Sequence, residues 1–368
     1  MNPLRAIGWP FDGSSDEGRP EDPAWREILA AHPQARPARV VEQHRSGYVV
    51  ADGPDSAAKV DSPPDWQRAK FPPEQRAAVG DWVLVESRAI VALLPRRSAI
   101  KRGAAGEHYK QQLIAANVDT AFVVCGLDDD FNPRRIERYL LLVRNGGSEP
   151  VVVLTKVDKA IAEDVGAVDS AMASLVDLAA QDVAIRAVNA KDRDSVAALD
   201  PWLRPGRTVV LVGSSGAGKS TLTNTLLGED RMKTGDVRAS DSRGRHTTTY
   251  RSLIPLPSGA CLIDTPGMRE LKPTGEEDLA EGGFADIEAL AEQCKFRDCR
   301  HQSEPGCAVR AALEAGKLDP DRYAHYLKLR DEVAGAADQL ATRLAKKANA
   351  KVQGKALNKR LDEKYGKH

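Results

Sequence analysis

Continuous apolar runs, each ending in polar or glycine residues, dominate the chain from about residue 112 onward. They are TAFVVCGL (120–127), PVVVLTKVD (150–158), DVAIRAVNA (182–190), RTVVLVGSS (207–215) and ACLIDTPG (260–267). Such runs are typical of strands buried on both faces, so they predict a mainly parallel sheet with helices on both sides. Segments 132–147 and 168–181 predict crossover helices. We therefore expect an α/β domain over residues 112–272.

A different pattern precedes this domain. Short β-rich runs separated by Gly, Pro and Asp turns predict a small β-barrel over residues 36–111. The oligonucleotide-binding (OB) type is one candidate, and its faces commonly bind RNA or single strands, although many small barrels bind no nucleic acid. Residues 1–35 are rich in Gly, Pro, Ser and acids, which predicts an acidic, partly disordered N-terminal segment.

The charge of the chain is informative in its distribution. Lys plus Arg and Asp plus Glu both number 53, so the total indicates no partner. Residues 343–368 carry nine bases against two acids, which favours either a nucleic-acid-binding tail or a solvated charged helix over 341–368. The chain has no apolar run of about 18 residues or more and no secretion signal, so we expect a cytoplasmic protein without membrane contact. We also expect it to be a monomer.

The segment GSSGAGKS has the spacing of a phosphate-binding loop. It follows a predicted strand and begins a predicted helix, which is the context that this motif requires. Lys219 is expected to contact the β- and γ-phosphates of a nucleotide, and the Ser220 hydroxyl to hold Mg²⁺. The predicted nucleotide contacts in this loop are Gly213, Ser214, Ser215, Gly216, Ala217, Gly218, Lys219, Ser220 and Thr221.

Two further segments complete the predicted phosphate and Mg²⁺ site. In LIDTPG (262–267), Asp264 is expected to reach Mg²⁺ through water and Gly267 to donate its N–H to the γ-phosphate. The segment DSRGRHTTTY (241–250) has the composition of a mobile switch, from which Thr247 or Thr248 would complete the Mg²⁺ shell. We favour Thr248.

The segment TKVD, residues Thr155, Lys156, Val157 and Asp158, predicts the loop that reads the base. Asp158 can accept two hydrogen bonds from guanine, whereas adenine offers no such donor pair, and the Lys156 stem would lie along the base plane. Most GTPases have Asn where this chain has Thr155, which predicts a weakened contact with the phosphate loop and modest base affinity. The segment AVNAKD (187–192) would place Asn189 and Ala190 near the base.

The residue after DTPG is Met268, where Ras-like enzymes have a Gln that orients water. Because a thioether cannot position water, intrinsic hydrolysis should be slow. A partner surface or His246 would then complete the catalytic site; alternatively, His246 contacts a partner.

The motifs run in the order base loop, second base loop, phosphate loop, switch and DTPG. This is the order of a GTPase domain cut after its DTPG strand and rejoined at the old termini. In this order the chain resembles the circularly permuted family of ribosome small-subunit-dependent GTPases, RsgA or YjeQ. The segments that carry the resemblance are LTKVD, GSSGAGKST, GRHTTT and LIDTPGM, followed by CKFRDCRHQSEPGCAV. The resemblance implies hydrolysis of GTP to GDP, stimulated by the small ribosomal subunit. It also implies rRNA contacts through the barrel and the C-terminal domain during late subunit maturation.

Residues 273–340 are predicted to form a helical domain with a structural Zn²⁺. Three thiolates and one imidazole within 14 residues suit tetrahedral zinc and leave no position for a catalytic water. The alternative is a set of free cysteines in a helical turn. The resemblance gives the same four ligands, Cys294, Cys299, His301 and Cys307. Cys125 and Cys261 are expected to be buried strand residues.

Two other functions fit parts of the sequence. One is an RNA-binding assembly factor in which GTP is mainly a structural ligand. The other is a metabolic kinase that uses ATP, against which Asp158 argues.

Overall fold

The computed structural model describes residues 3–10, 22–44, 47–68, 71–103, 111–179, 181–229, 251–264 and 272–365. Its strands are β1 (Arg36–His44), β2 (Gly47–Gly53), β3 (Ser56–Val60), β4 (Trp82–Glu86), β5 (Ala89–Leu93), β6 (Ala99–Gly103), β7 (Gln111–Ala116), β8 (Thr120–Gly126), β9 (Glu149–Thr155), β10 (Ala184–Ala187), β11 (Thr208–Val212), β12 (Ser252–Pro255) and β13 (Cys261–Asp264). Its α-helices are α1 (Pro23–Ala31), α2 (Pro64–Gln67), α3 (Pro133–Asn145), α4 (Val157–Glu163), α5 (Ala167–Ala173), α6 (Val176–Ala179), α7 (Arg193–Val196), α8 (Lys219–Leu227), α9 (Ala285–Glu292), α10 (Ala308–Glu314) and α11 (Pro320–Tyr365).

The predicted parallel sheet is present. Strands β10, β9, β8, β11 and β13 are parallel neighbours in that order, and β12 adds antiparallel to β13. Alternate side chains enter two separate cores, as Val123 and Val124 of β8 show, so the sheet is buried on both faces. The phosphate-loop strand β11 lies between β8 and β13, inside the sheet, and follows the base-loop strands β9 and β10 along the chain. The sheet itself therefore shows the permuted order.

The five strands that precede the parallel sheet along the chain, β1 to β5, pair with one another in a ring. Strand β1 pairs with β2 and β4, β2 pairs with β3, and β4 pairs with β5. A parallel bridge from Asp61 to Ala89 joins the end of β3 to β5 and returns the path to its start. Strand β1 also touches β12, at Glu42 and Ser252, which continues the sheet into the barrel strands. The OB type of this barrel stays a prediction.

The described part of the N-terminal segment packs against the core through a few buried side chains, and partial disorder elsewhere in the segment stays a prediction. Trp9 and Trp25 are buried, and Trp9 makes edge contacts with the rings of Trp25 and Trp82 at centroid distances of 5.4 and 4.7 Å. Polar and glycine-rich composition hid these two aromatic anchors, whose burial stabilises the segment more than its average composition indicates.

The buried guanidinium of Arg39 joins three segments at this place. It donates to the carbonyl oxygens of Ile7, Gly80 and Asn117. Burial lowers the pKa of Arg39, since a charge loses its hydration there. One charged donor thus links all three carbonyls, and the Gly80 oxygen also accepts from the Asn117 side-chain amide at 3.1 Å.

The crossover helices agree only in part with the sequence. Helix α3 lies where 132–147 predicted it, capped by the Asn132 side chain on the Arg135 amide. The single helix predicted over 168–181 is instead two, α5 and α6. The Ser174 hydroxyl donates to the carbonyl of Ala171 just after α5 ends, a local bond that competes with helix continuation.

A second compact unit contains Lys272–Glu277 and Leu290–His368. Helix α11 runs without a break through residue 341, where the sequence placed a separate tail. The segment 272–277 lies directly on this helix, because a Cβ on Gly275 would stand 2.3 Å from the Ala337 nitrogen. Within the described residues, no helix combines the length and apolar character needed to cross a bilayer.

Candidate functional site

The phosphate loop, Gly213–Ser220, connects β11 to α8 and its backbone requires glycine. Gly213 has φ 148°, and a Cβ there would lie 2.1 Å from the carbonyl oxygen of Val124. Gly218 has φ 93°, and a Cβ there would lie 2.9 Å from the Thr155 hydroxyl. The loop therefore packs closely against β8 and β9 and leads directly into the N-terminus of α8. Such a cradle fits phosphate groups.

Lys219 lies at the start of α8 with its amine over this loop. Its Nζ donates to the carbonyl oxygen of Gly213 at 2.8 Å and to that of Ser214. Ser215 and Gly216, at the crest of the loop, are exposed. The loop thus combines a lysine amine with an exposed crest, which suits a polyphosphate.

Thr155 connects the base loop, Thr155–Asp158, with the phosphate loop. Its side chain is fully buried, and its hydroxyl donates to the Ala217 carbonyl oxygen at 2.6 Å. The side chain of Thr155 therefore reaches the phosphate loop directly, and the weakening expected from Thr in place of Asn stays a prediction. Close packing between Thr155 and Gly218 accounts for this reach.

The rest of the base loop projects from the end of β9. Lys156 has a left-handed backbone, φ 63°, and its amine pairs with Asp128. Gly126 leaves room for the Lys156 stem, because a Cβ there would lie 3.1 Å from its Cε. Asp158 lies in the first turn of α4, partly exposed, with a carboxylate oxygen 3.9 Å from the Lys191 amine. The carboxylate is accessible to a base.

The second base loop follows β10 at the same edge of the sheet. The Asn189 side chain accepts from the Lys191 amide at 3.1 Å, which forms a tight turn. The Ala190 carbonyl oxygen accepts from the Thr225 hydroxyl at 2.6 Å. Because Thr225 belongs to α8, the helix that begins at the phosphate loop also holds the second base loop.

Three residues of this region escaped the sequence analysis. Asp128 pairs with Lys156, Asp130 accepts from the Ser214 hydroxyl, and Thr225 reaches Ala190. Arg135 donates to the Asp130 carboxylate at 2.5 Å and so fixes it against the phosphate loop. The acid run at 128–130, directly after a strand, was the available signal. This signal could be interpreted only once β8 was known to lie beside β11, the strand that leads into the phosphate loop.

Asp264 ends β13, beside the phosphate-loop strand, where the Walker-B role requires it. Val157 begins α4, and Ser220 and Thr221 lie in the first turn of α8. The remaining predicted residues of this site lie outside the described residues: His246, Thr247, Thr248, Gly267 and Met268.

The second unit brings together the four predicted metal ligands. The Sγ, Nδ1 or Nε2 atoms of Cys294, Cys299, His301 and Cys307 all lie within 4.8 Å of one another. The His301 Nδ1 is 3.5 Å from the sulfurs of both Cys294 and Cys307. A Cys₃His set of this size fits tetrahedral Zn²⁺.

The thiols of this cluster influence one another's ionisation. Desolvation opposes ionisation of Cys294, but amide hydrogen bonds from Val309 and Ala308 and the neighbouring thiols outweigh it and lower its pKa. Desolvation and the adjacent thiols raise the pKa of Cys299 to about 11. A bound metal cation would favour the thiolate form of all three cysteines, which Zn²⁺ ligation requires.

Glu304 orders the loop between the ligands. The backbone amides of Arg300, Gln302 and Ser303 donate to its carboxylate at 3.0, 2.8 and 3.0 Å and hold its pKa at about 2. The loop therefore keeps its shape through its own backbone as well as through the cluster.

Two solved structures share this fold. The crystal structure of YloQ, described as a circularly permuted GTPase, is 25% identical, has a TM-score of 0.56, and is aligned over 84% of this chain and 97% of that chain. YjeQ from Thermotoga maritima is 24% identical, has a TM-score of 0.58 and is aligned over 82% and 99%. The second likeness concerns the fold alone.

Sequence relatives are much closer. The family described as RsgA GTPase matches residues 93–274. Proteins named small ribosomal subunit biogenesis GTPase RsgA, from Xanthomonas campestris pv. campestris and Xanthomonas axonopodis pv. citri, are 70% and 69% identical over 353 residues, which is 96% of this chain and 94% of theirs. The resemblance suggested by the motifs is confirmed: this chain belongs to the family of RsgA GTPases, enzymes with a circularly permuted GTPase fold.

Proposed function

We propose that this chain hydrolyses GTP to GDP during maturation of the small ribosomal subunit, slowly alone and faster on the subunit. The names of its close relatives support the partner. The observation that carries the proposal is the hydrogen bond from Thr155 to Ala217, which joins the loop for the base to the loop for the phosphates. A pocket built in this way recognises a guanine nucleotide at both ends.

Each residue of the site has a proposed role. Asp158 accepts from guanine, with Lys156, Val157, Asn189 and Ala190 around the base. Lys219 and the phosphate-loop amides neutralise the charge that develops on the γ-phosphate as water attacks it. Ser220 and Thr248, with Asp264 through water, would hold Mg²⁺, which supplies further charge neutralisation when bound. Gly267 donates to the γ-phosphate.

The permutation gives the nucleotide state a direct route to the second unit. Asp264 belongs to the first unit and Lys272 to the second, so seven residues, 265–271, separate them. In an unpermuted domain the chain after DTPG returns to the sheet. Here it continues into the segment that lies on α11. We infer that a γ-phosphate contact in this stretch changes the position of the second unit.

The Cys₃His cluster is proposed to hold one structural Zn²⁺. Four protein ligands leave no position for a substrate water, so the metal would stabilise the loop and take no part in hydrolysis. The barrel and this unit are proposed to contact rRNA, with the chain acting as a cytoplasmic monomer. His246 is proposed either to complete the catalytic site or to contact the subunit.

The test is GTP turnover with and without purified small subunits, for the wild type and Lys219→Ala. We expect stimulation of the wild type and loss of both rates in the variant, because the lysine neutralises the transferred phosphate. Unstimulated turnover would remove the subunit from the proposal. Normal subunit maturation in cells that carry only Lys219→Ala would favour an assembly factor for which GTP is a structural ligand.

A further inference from the structure

Exposed apolar side chains are concentrated in one segment of the chain. Within the described residues, six large hydrophobic side chains are exposed, and four of them lie between residues 161 and 176. Their exposed fractions are 45% for Ile161, 83% for Val165, 36% for Met172 and 61% for Val176. Single exposed apolar residues need no explanation, but such a concentration marks an interaction surface.

The opposite sides of α5 and α6 pack against the core of the domain. Ala171, Leu175 and Leu178 are buried in the main core, which fixes α5 and α6 to the body of the domain. Met172 and Val176 point away from that core. A helical segment with apolar residues on both its inner and outer sides is usually covered on both.

The charges between these apolar residues all have one sign. Residues 161–178 contain four acids and no base. The acids are Glu163, Asp164, Asp169 and Asp177, all exposed, and none of them forms an ion pair with another residue that the structure describes. We call these four carboxylates and the four exposed apolar residues the acidic-apolar patch.

This chemistry excludes a nucleic acid as the occupant. A phosphate backbone would meet four uncompensated carboxylates, and binding to RNA needs the reverse charge. A basic protein segment with an apolar face satisfies both features, since its Lys and Arg pair with the carboxylates while its apolar side chains cover Val165 and Val176.

We propose that the acidic-apolar patch binds a basic, amphipathic segment of a protein on the small ribosomal subunit, whereas rRNA contacts lie elsewhere on the chain. The proposal rests on the proposed function, which supplies the subunit.

The patch is also well placed to affect the nucleotide. Helix α4 carries Asp158 in its first turn and Ile161 one turn later, so a partner that covers Ile161 contacts the helix of the base-reading carboxylate.

The sign of a charge change provides the first test. Asp177→Lys should weaken binding to purified small subunits about fivefold, since loss of an interfacial ion pair costs about 1 kcal/mol. Asp200→Lys, an equal charge change at an exposed position outside the patch, should have less than about a twofold effect. Intrinsic GTP turnover should be unchanged in both. Binding that becomes tighter with Asp177→Lys would indicate RNA at the patch and overturn the proposal.

Crosslinking identifies the occupant. The full chain with Val176→p-benzoylphenylalanine is irradiated on small subunits with a non-hydrolysable GTP analogue, and the same substitution at exposed Arg204 serves as control. We expect an adduct at position 176 that resists ribonuclease and contains a subunit protein. A ribonuclease-sensitive adduct, an adduct between two copies of this chain, or no adduct on subunits that stimulate turnover would overturn the proposal. Absence of stimulation and of binding would instead remove the proposed function itself, and the patch proposal with it.

Discussion

The contact between the base loop and the phosphate loop rests on one hydroxyl group, and Thr155→Val removes it with little change in volume. The Ala217 carbonyl oxygen then loses its donor at 2.6 Å while it stays buried behind the phosphate loop. The second acceptor of this hydroxyl, the carbonyl of Cys125 at 3.4 Å, contributes little. The variant thus isolates a single hydrogen bond.

The magnitude follows from the cost of an unpaired buried acceptor, about 1–3 kcal/mol. Expressed entirely as lost nucleotide affinity, this range corresponds to about 5- to 150-fold. We expect about tenfold weaker GDP and GTP binding. The loss is smaller than the upper limit because the unpaired acceptor also destabilises the nucleotide-free protein, and that part does not lower affinity.

The assay is equilibrium titration with a fluorescent guanine nucleotide, together with thermal unfolding to separate affinity from stability. Thr155→Ser keeps the hydroxyl and serves as the matched control, with affinity expected close to that of the wild type. Thr155→Asn should also bind less tightly, because the site is fully buried and a longer side chain would press on Gly218. Affinity of Thr155→Val within twofold of the wild type would refute the role given to this contact.

Three other predictions concern parts of the chain that surround the site. Gly275→Ala places a methyl group 2.3 Å from the Ala337 backbone nitrogen, in a left-handed backbone that alone costs about 1–2 kcal/mol. Stimulation by small subunits should fall about tenfold with intrinsic turnover unchanged, and full stimulation would argue against coupling through 272–277. Cys294→Ser should lower bound zinc from one per chain to near zero by metal analysis, whereas Cys125→Ala should retain it; equal zinc in both would exclude the Cys₃His site. Arg39→Met removes the donor of the buried Ile7 and Asn117 carbonyls, while Gly80 keeps the Asn117 amide, and should reduce the free energy of unfolding in urea by about 2–5 kcal/mol. The surface control Arg36→Met should cost less than about 1 kcal/mol, and similar losses in the two would contradict the role of Arg39.

The sequence predicted the parallel sheet and the phosphate loop because both depend on local signals. Buried strands such as β8 are continuous apolar runs, and the glycines of the phosphate loop stand at a fixed spacing along the chain. The metal cluster could be predicted from the sequence equally well, since its four ligands lie within 14 residues.

Long-range contacts explain what the sequence did not reveal. The side-chain contact of Thr155 with Ala217 spans 62 residues and that of Asp130 with Ser214 spans 84. Neither can be recognised before the strand order is known. The burial of Trp9 was missed for the same reason, because its partner Trp82 comes from the barrel.

The central claim is that loops out of their customary order form one guanine-nucleotide pocket with Asp158 as the base-reading group. The most direct measurement compares turnover of GTP and xanthosine triphosphate by the wild type and Asp158→Asn, with small subunits present. Xanthine carries an oxygen where guanine carries the amine, so the amide can donate where the carboxylate accepted. We expect the variant to prefer xanthosine triphosphate over GTP. An unchanged preference for GTP would contradict the central claim.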